Sequence, residues 1–153
     1  MATTTPTTTA AKIRTLGPGV LKSTDSKLTI DLSSDVTKVS LTPSNSSDDP
    51  INYLDGSQEI NTSTSWTLEC TVQDDYTLGG INNWAFSNAG KSVPMQFIPV
   101  NAAAGDQNAL ASFTFNATIQ PLAFGGDVKA KNSNDLSWPI TNLQLVPLST
   151  LTA

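Results

Sequence analysis

Ser65 to Val100 reads SWTLECTVQDDYTLGGINNWAFSNAGKSVPMQFIPV. From Trp66 the apolar residues alternate: Trp66, Leu68, Cys70 and Val72, with Thr67, Glu69 and Thr71 between them. A period of two puts the first set on one sheet face and the second on the other. Then the period changes. Leu78, Ile81 and Ala85 are spaced as one face of a helix, with Trp84 and Phe86 flanking it. Asp74 and Asp75 precede it, where carboxylates favour the positive helix end. Gly79 and Gly80 weaken such a helix by about 1 kcal/mol each. Gly90 follows where a C-capping glycine is expected. Val93, Met95 and Phe97 then alternate again, and Pro94 and Pro99 mark that strand as an edge or as one tied on a single side. The stretch predicts strand, short helix, strand. A helix this short needs a sheet to lie on.

The rest of the chain supplies strands. Val20 begins a short one after the Leu16-Gly17-Pro18-Gly19 turn. Lys27–Leu32 and Val36–Leu41 alternate, and Pro43 closes the second run. Leu110–Gln120 is the longest pattern. Ala111, Phe113, Phe115, Ala117 and Ile119 share one face; Ser112, Thr114, Asn116 and Thr118 share the other. Gly125-Gly126 signals a bend, Asp127–Lys131 is a polar strand candidate, and Trp138-Pro139-Ile140 closes the core pattern. The expectation is about six to eight strands and one helix over residues 75–89, in a mainly β fold.

Residues 1–15 form the expected flexible N-terminal arm, since MATTTPTTTAA offers nothing to a core. Residues 16–141 form one β-domain, and 142–153 a last strand or arm. Residues 44–61 (SNSSDDPINYLDGSQEIN) read as a long polar loop. A connection of that length in a compact domain carries function or moves. Ile51, Tyr53 and Leu54 inside it point to docking on a partner, with local packing as the plainer reading.

Composition excludes several classes of function. The 153 residues suit one domain, large enough to bury about 70% of its unfolded surface. Charged residues are 14% of the chain and the net charge is −5, with no cluster of Lys or Arg to grip phosphates. There is no His, so histidine catalysis and histidine metal sites are excluded. Cys70 is alone and sits in the apolar phase, as a buried thiol would. Asp48-Asp49, Asp74-Asp75 and Asp127 read as turn and cap residues, since neighbours on a strand point to opposite faces. No catalytic, cofactor or metal residue is assigned. No apolar run is long enough for a membrane span, and no signal peptide is read. The three N-x-S/T matches, at Asn45, Asn61 and Asn116, are chance hits in a chain this rich in Ser and Thr.

In their order, several pieces resemble the major tail protein of long non-contractile-tailed bacteriophages. They are Leu16-Gly17-Pro18-Gly19, Val39-Ser40-Leu41-Thr42-Pro43, Ser65-Trp66-Thr67-Leu68 and Gln73-Asp74. Then come Trp84 with Asn88-Ala89-Gly90-Lys91, Val93–Pro99, Gly125-Gly126-Asp127-Val128-Lys129 and Trp138-Pro139. The resemblance implies a β-sandwich or barrel-like tail-tube fold with a flanking helix. It implies a structural, non-enzymatic homo-oligomer of stacked hexameric rings, built in a host cytoplasm and carried in the virion tail. Tape-measure, tail-terminator and distal tail proteins would be its partners, and DNA would cross the lumen without specific binding. Thr67, Glu69, Thr71, Ser112, Thr114, Asn116 and Thr118 become candidate lumen residues. Asp48, Asp49, Ile51, Tyr53, Leu54 and Asp55 become the candidate inter-ring loop. The alternatives are the tube of a related secretion or contractile machine, and a soluble virion β-sandwich that binds a ligand.

Overall fold

The computed structural model describes residues 14–100 and 110–148. Chain order is β1 (Val20–Ser23), β2 (Val36–Ser47), β3 (Ile51–Asn52), β4 (Gln58–Glu59), β5 (Thr62–Gln73), α1 (Ile81–Ser87), β6 (Ser92–Ile98), β7 (Ala111–Thr118) and β8 (Ser133–Pro147). The fold is mainly β. Six strands form one antiparallel sheet in the order β1-β6-β7-β8-β5-β2, and β3 and β4 pair separately.

β8 explains how this sheet becomes sandwich-like. Its first half, Ser133–Ile140, pairs with β5, and its second half, Ile140–Pro147, pairs with β7. Ile140 is in register with Trp66 on one side and Ala117 on the other. Just beyond it the β7–β8 register shifts, and Asn142 adopts a left-handed φ of 55°. Such a bulge bends a strand and lets it pass from one sheet half to the other. One half is then β1-β6-β7 with the end of β8; the other is β2-β5 with its beginning. Residues 30–32 run along the free side of β1, with Ser23 N–H donating to the Ile30 carbonyl (2.8 Å) and Leu32 N–H to the Leu21 carbonyl (2.8 Å). The chain then turns directly into β2.

The inner faces enclose one core. Leu68, Cys70 and Val72 of β5 meet Val93, Met95 and Phe97 of β6, Phe115 and Ala117 of β7, and Leu136, Trp138 and Ile140 of β8. α1 closes it with Ile81, Trp84 and Ala85. Trp138 is fully buried, its ring 6.2 Å from that of Trp84, and its indole N–H donates to the Gln120 carbonyl (3.0 Å). That bond satisfies the one polar atom a tryptophan brings into a core.

Several expectations need correction. The helix is 81–87, shorter than 75–89. Asp75 accepts from the N–H and hydroxyl of Thr77 (3.1 and 2.8 Å), which commits 75–77 to a turn before the helix can start. Gly80 is the N-cap, so neither glycine lies within the helix, and a Cβ there would collide with the Asp75 carbonyl. Leu78 is consequently outside the helix and exposed. Gly90 does adopt a left-handed φ of 83°, two residues beyond the cap Asn88. Pro43 does not end β2; it pairs with Trp66, tolerated because β2 is an outer strand. β6 is no edge, since β1 and β7 flank it. Pro94 lies just past the last β1 pair, tied in register to Asn116 of β7. Lys27–Leu32 forms only the Lys22–Asp31 bridge, although Ile30 and Leu32 are buried as the alternation implied. Asp127–Lys131 is a turn, not a strand. The region expected as a loop over 44–61 is largely a hairpin, and residues 142–147 continue β8. Most of the expected N-terminal arm lies outside the described residues.

Candidate assembly surfaces

Three surfaces follow from this frame. The first is the polar face of the β2-β5-β8 half. Glu69 lies between Ser40 and Ser137, and Thr71 between Lys38 and Asp135. The Thr42 hydroxyl donates to Glu69 (3.1 Å) and the Thr71 hydroxyl to Asp135 (2.7 Å). Thr67, Glu69 and Thr71 therefore do share a wet face, together with Lys38, Ser40, Asp135 and Ser137. The last four were missed. Alternation back from Trp138 through Leu136 would have turned Asp135 and Ser137 outward.

The β7 set divides. Thr114, Asn116 and Thr118 are half-buried on the outer face of their strand. Ser112 is fully buried, its hydroxyl donating to the Val146 carbonyl (3.3 Å), so it is not a surface residue. A small second cluster, Ile98, Leu110 and Leu148, covers that end of the sheet. The β5 and β7 sets lie on either side of β8, whose two halves they contact, and the two ladders meet at Ile140.

The second surface is the hairpin. β2 and β5 overshoot the sheet, pairing Ser44–Ser47 with Thr62–Ser65 beyond the last β5–β8 pair at Trp66. β3 and β4 then continue the ribbon, and every residue from Pro43 to Ser65 is exposed. Gly56, with a φ of 87°, and the Tyr53–Ser57 backbone bond (2.9 Å) turn the tip. Ser57 donates to Asp55 through its N–H (2.9 Å) and its hydroxyl, holding that carboxyl below the usual range. Tyr53 donates to Glu59 (2.6 Å), which pushes its phenol up. Ile51, Tyr53, Leu54 and Ile60 stand exposed on this arm, and Asp48 and Asp49 lie at its middle. Local packing, the plainer reading, does not cover Ile51, Tyr53 or Leu54.

The third surface was not foreseen. Tyr76, Leu78, Phe86, Phe124 and Val128 are all exposed around α1. Phe86 and Phe124 meet edge to face at 6.1 Å. Buried Asn82 fixes the neighbouring chain by donating to the Ala123 carbonyl (3.1 Å) and accepting from Asp75 N–H (3.0 Å). Asn132 ties this region together, accepting from Asp127 N–H (3.1 Å) and donating to the Tyr76 hydroxyl (3.4 Å). No period marks these residues, since Phe124 and Val128 lie in irregular chain and Phe86 sits beside the buried stripe.

No group of three His, Cys, Asp or Glu that could hold a metal ion occurs among the described residues. Asp74 accepts from Tyr76 (2.8 Å) and Asn134 (2.6 Å), and Asp75 from Thr77, as turn residues. Asp35 differs. Burial, then the nearby charges of Asp75 and Asp31, push its carboxyl above the ordinary range. A raised folded-state value means the charged form is disfavoured by folding. The wild-type chain therefore loses stability as pH rises through that value, and is unaffected by the group at lower pH. Asp35→Asn should be more stable than wild type at pH 7, with the gap closing near pH 3; thermal melts at the two pH values check this.

Compared with protein-family models and with curated proteins, the chain matches none.

Proposed function

We propose that this chain is the subunit of a bacteriophage tail tube, assembling as stacked hexameric rings around a DNA channel. The observation that carries the reading is the hairpin from Pro43 to Ser65. It buries nothing in the monomer, yet holds a defined ladder and an apolar tip in water. Such an arm makes physical sense when another molecule covers the tip. β2 adds a twelve-residue outer strand whose far side has no partner strand among the described residues. An edge of that length invites pairing with another copy, and ring closure removes it. Tape-measure, tail-terminator and distal tail proteins are the partners this role implies. Negative-stain micrographs of concentrated protein should show six-fold rings and tubes; monomers under every assembly condition would refute the reading.

In such a tube the wet face bearing Glu69 and Asp135 lines the channel, where carboxylates repel phosphate within a Debye length of about 8 Å. Tails rebuilt with Glu69→Lys and Asp135→Lys should still form. Their DNA should eject more slowly at low salt, and the delay should fade as salt rises. Unchanged ejection from well-formed variant tails would show that this face does not meet the DNA.

One observation favours a different class. The exposed ring cluster of Tyr76, Phe86 and Phe124 is what a soluble virion β-sandwich would use to bind a ligand. A ligand-binding monomer that never forms rings would support that alternative.

A further inference from the structure

We propose that the hairpin tip of one copy docks on the exposed apolar patch around α1 of the next copy. The inference rests on the tail-tube reading and names the receptor surface within it. Position argues first. β5 starts at Thr62, in the hairpin, and ends at Gln73. The segment bearing Tyr76 and Leu78 follows directly, and β8 starts beside it at Ser133, after Phe124 and Val128. Tip and patch therefore lie at opposite ends of the same strand. Two different surfaces at opposite ends give a heterologous, head-to-tail contact, which propagates into a stack instead of closing a pair.

Chemistry argues second. The tip offers Ile51, Tyr53 and Leu54, and the patch offers Leu78, Phe86, Phe124 and Val128. Each set is unburied in the isolated chain. Between Pro43 and Ser65 the hairpin carries Asp48, Asp49, Asp55 and Glu59 and neither Lys nor Arg. At the patch, Val128 is followed by the exposed Lys129 and Lys131, and Lys129 holds a left-handed φ of 62°. The carboxylates nearby are Asp74, Asp75 and Asp127. Asp74 is taken up by Tyr76 and Asn134, and Asp75 by Thr77. The tip's carboxylates can pair with Lys129 and Lys131 while the apolar groups of the two surfaces meet, which sets the register of the contact.

Single-cysteine crosslinking tests this. Leu54→Cys and Val128→Cys place one thiol on each surface, at positions exposed in the monomer. The native Cys70 is silent, because burial pushes its thiol up to about 12. An equal mixture of the two variants, treated with a short bismaleimide, should give the mixed pair. Its yield should be about tenfold above a mixture in which Gln144→Cys replaces Val128→Cys, the enrichment expected of a specific contact. Tyr53→Cys with Phe124→Cys is the second pair, read the same way. Yields no better than the Gln144 control for both pairs overturn the docking, even where micrographs show normal tubes. Micrographs showing only monomers overturn the tube reading instead, so the two failures are separately visible.

Discussion

A chain in which Asn-Gly replaces residues 48–61, linking Ser47 to Thr62 through that dipeptide, should fold normally and fail to form tubes. Ser47 and Thr62 are already the last pair of the β2–β5 ladder, and Asn-Gly closes a two-residue turn between paired strands. None of the removed residues is buried, and among the described residues β3 and β4 pair only with each other. Exposed segments of this kind change stability by about 0.5 kcal/mol or less, so the melting temperature should stay within about 2 °C. Assembly is where the loss should appear. Sedimentation should find single subunits or unstacked rings at concentrations where the parent chain forms tubes. Tubes of ordinary length from the shortened chain would remove the hairpin from the assembly mechanism.

The largest expected effect on stability lies at Trp138. Trp138→Ala removes a fully buried indole that packs against Trp84 in the core both sheet halves share. A substitution of this kind costs about 3–5 kcal/mol. Against a total of roughly 5–15 kcal/mol for a domain, that leaves little margin. Trp138→Phe keeps most of the volume but leaves the Gln120 carbonyl without its donor, a loss of about 1–3 kcal/mol. Phe86→Ala, on the exposed side of α1, is the control and should be close to neutral. Urea unfolding followed by tryptophan fluorescence for the Phe variants, and by circular dichroism for all three, ranks them. A Trp138→Ala chain within 1 kcal/mol of the parent would mean that the two halves do not share this core.

The core was legible where alternation met a buried face. Leu68, Cys70, Val72, Phe115, Ala117 and Ile119 are all inside, as period two implied. The same rule failed at the start of β7, where Ala111 is exposed and Ser112 buried. A period of two separates faces, but it does not reveal that Ile98, Leu110 and Leu148 cover the second face at that end. The hairpin was hidden for the opposite reason. Both of its faces are wet, so no apolar alternation marks it. Its ladder is helped by polar cross-strand contacts such as Thr64 donating to Asn45 (2.8 Å). The candidate loop residues 48, 49, 51 and 53–55 are exposed on the hairpin, whose ribbon structure the polar composition did not reveal. The third surface left no pattern, because exposed side chains outside a buried stripe obey no period.

The two-sided role of β8 also bears on the order of events while the chain is being made. Every strand that β8 joins precedes it in the sequence. The β2–β5 hairpin is local and can close early, as short-range pairings do. The β6–β7 pair can form next. Neither can be fastened to the other until Ser133–Pro147 has left the ribosome, because Ile140 is where the two ladders meet. An acidic hairpin with an apolar tip is thus presented on the nascent chain before the body that carries it is locked. The negative charge of that arm keeps neighbouring nascent chains apart during the interval, when unfinished strand edges are most exposed to one another.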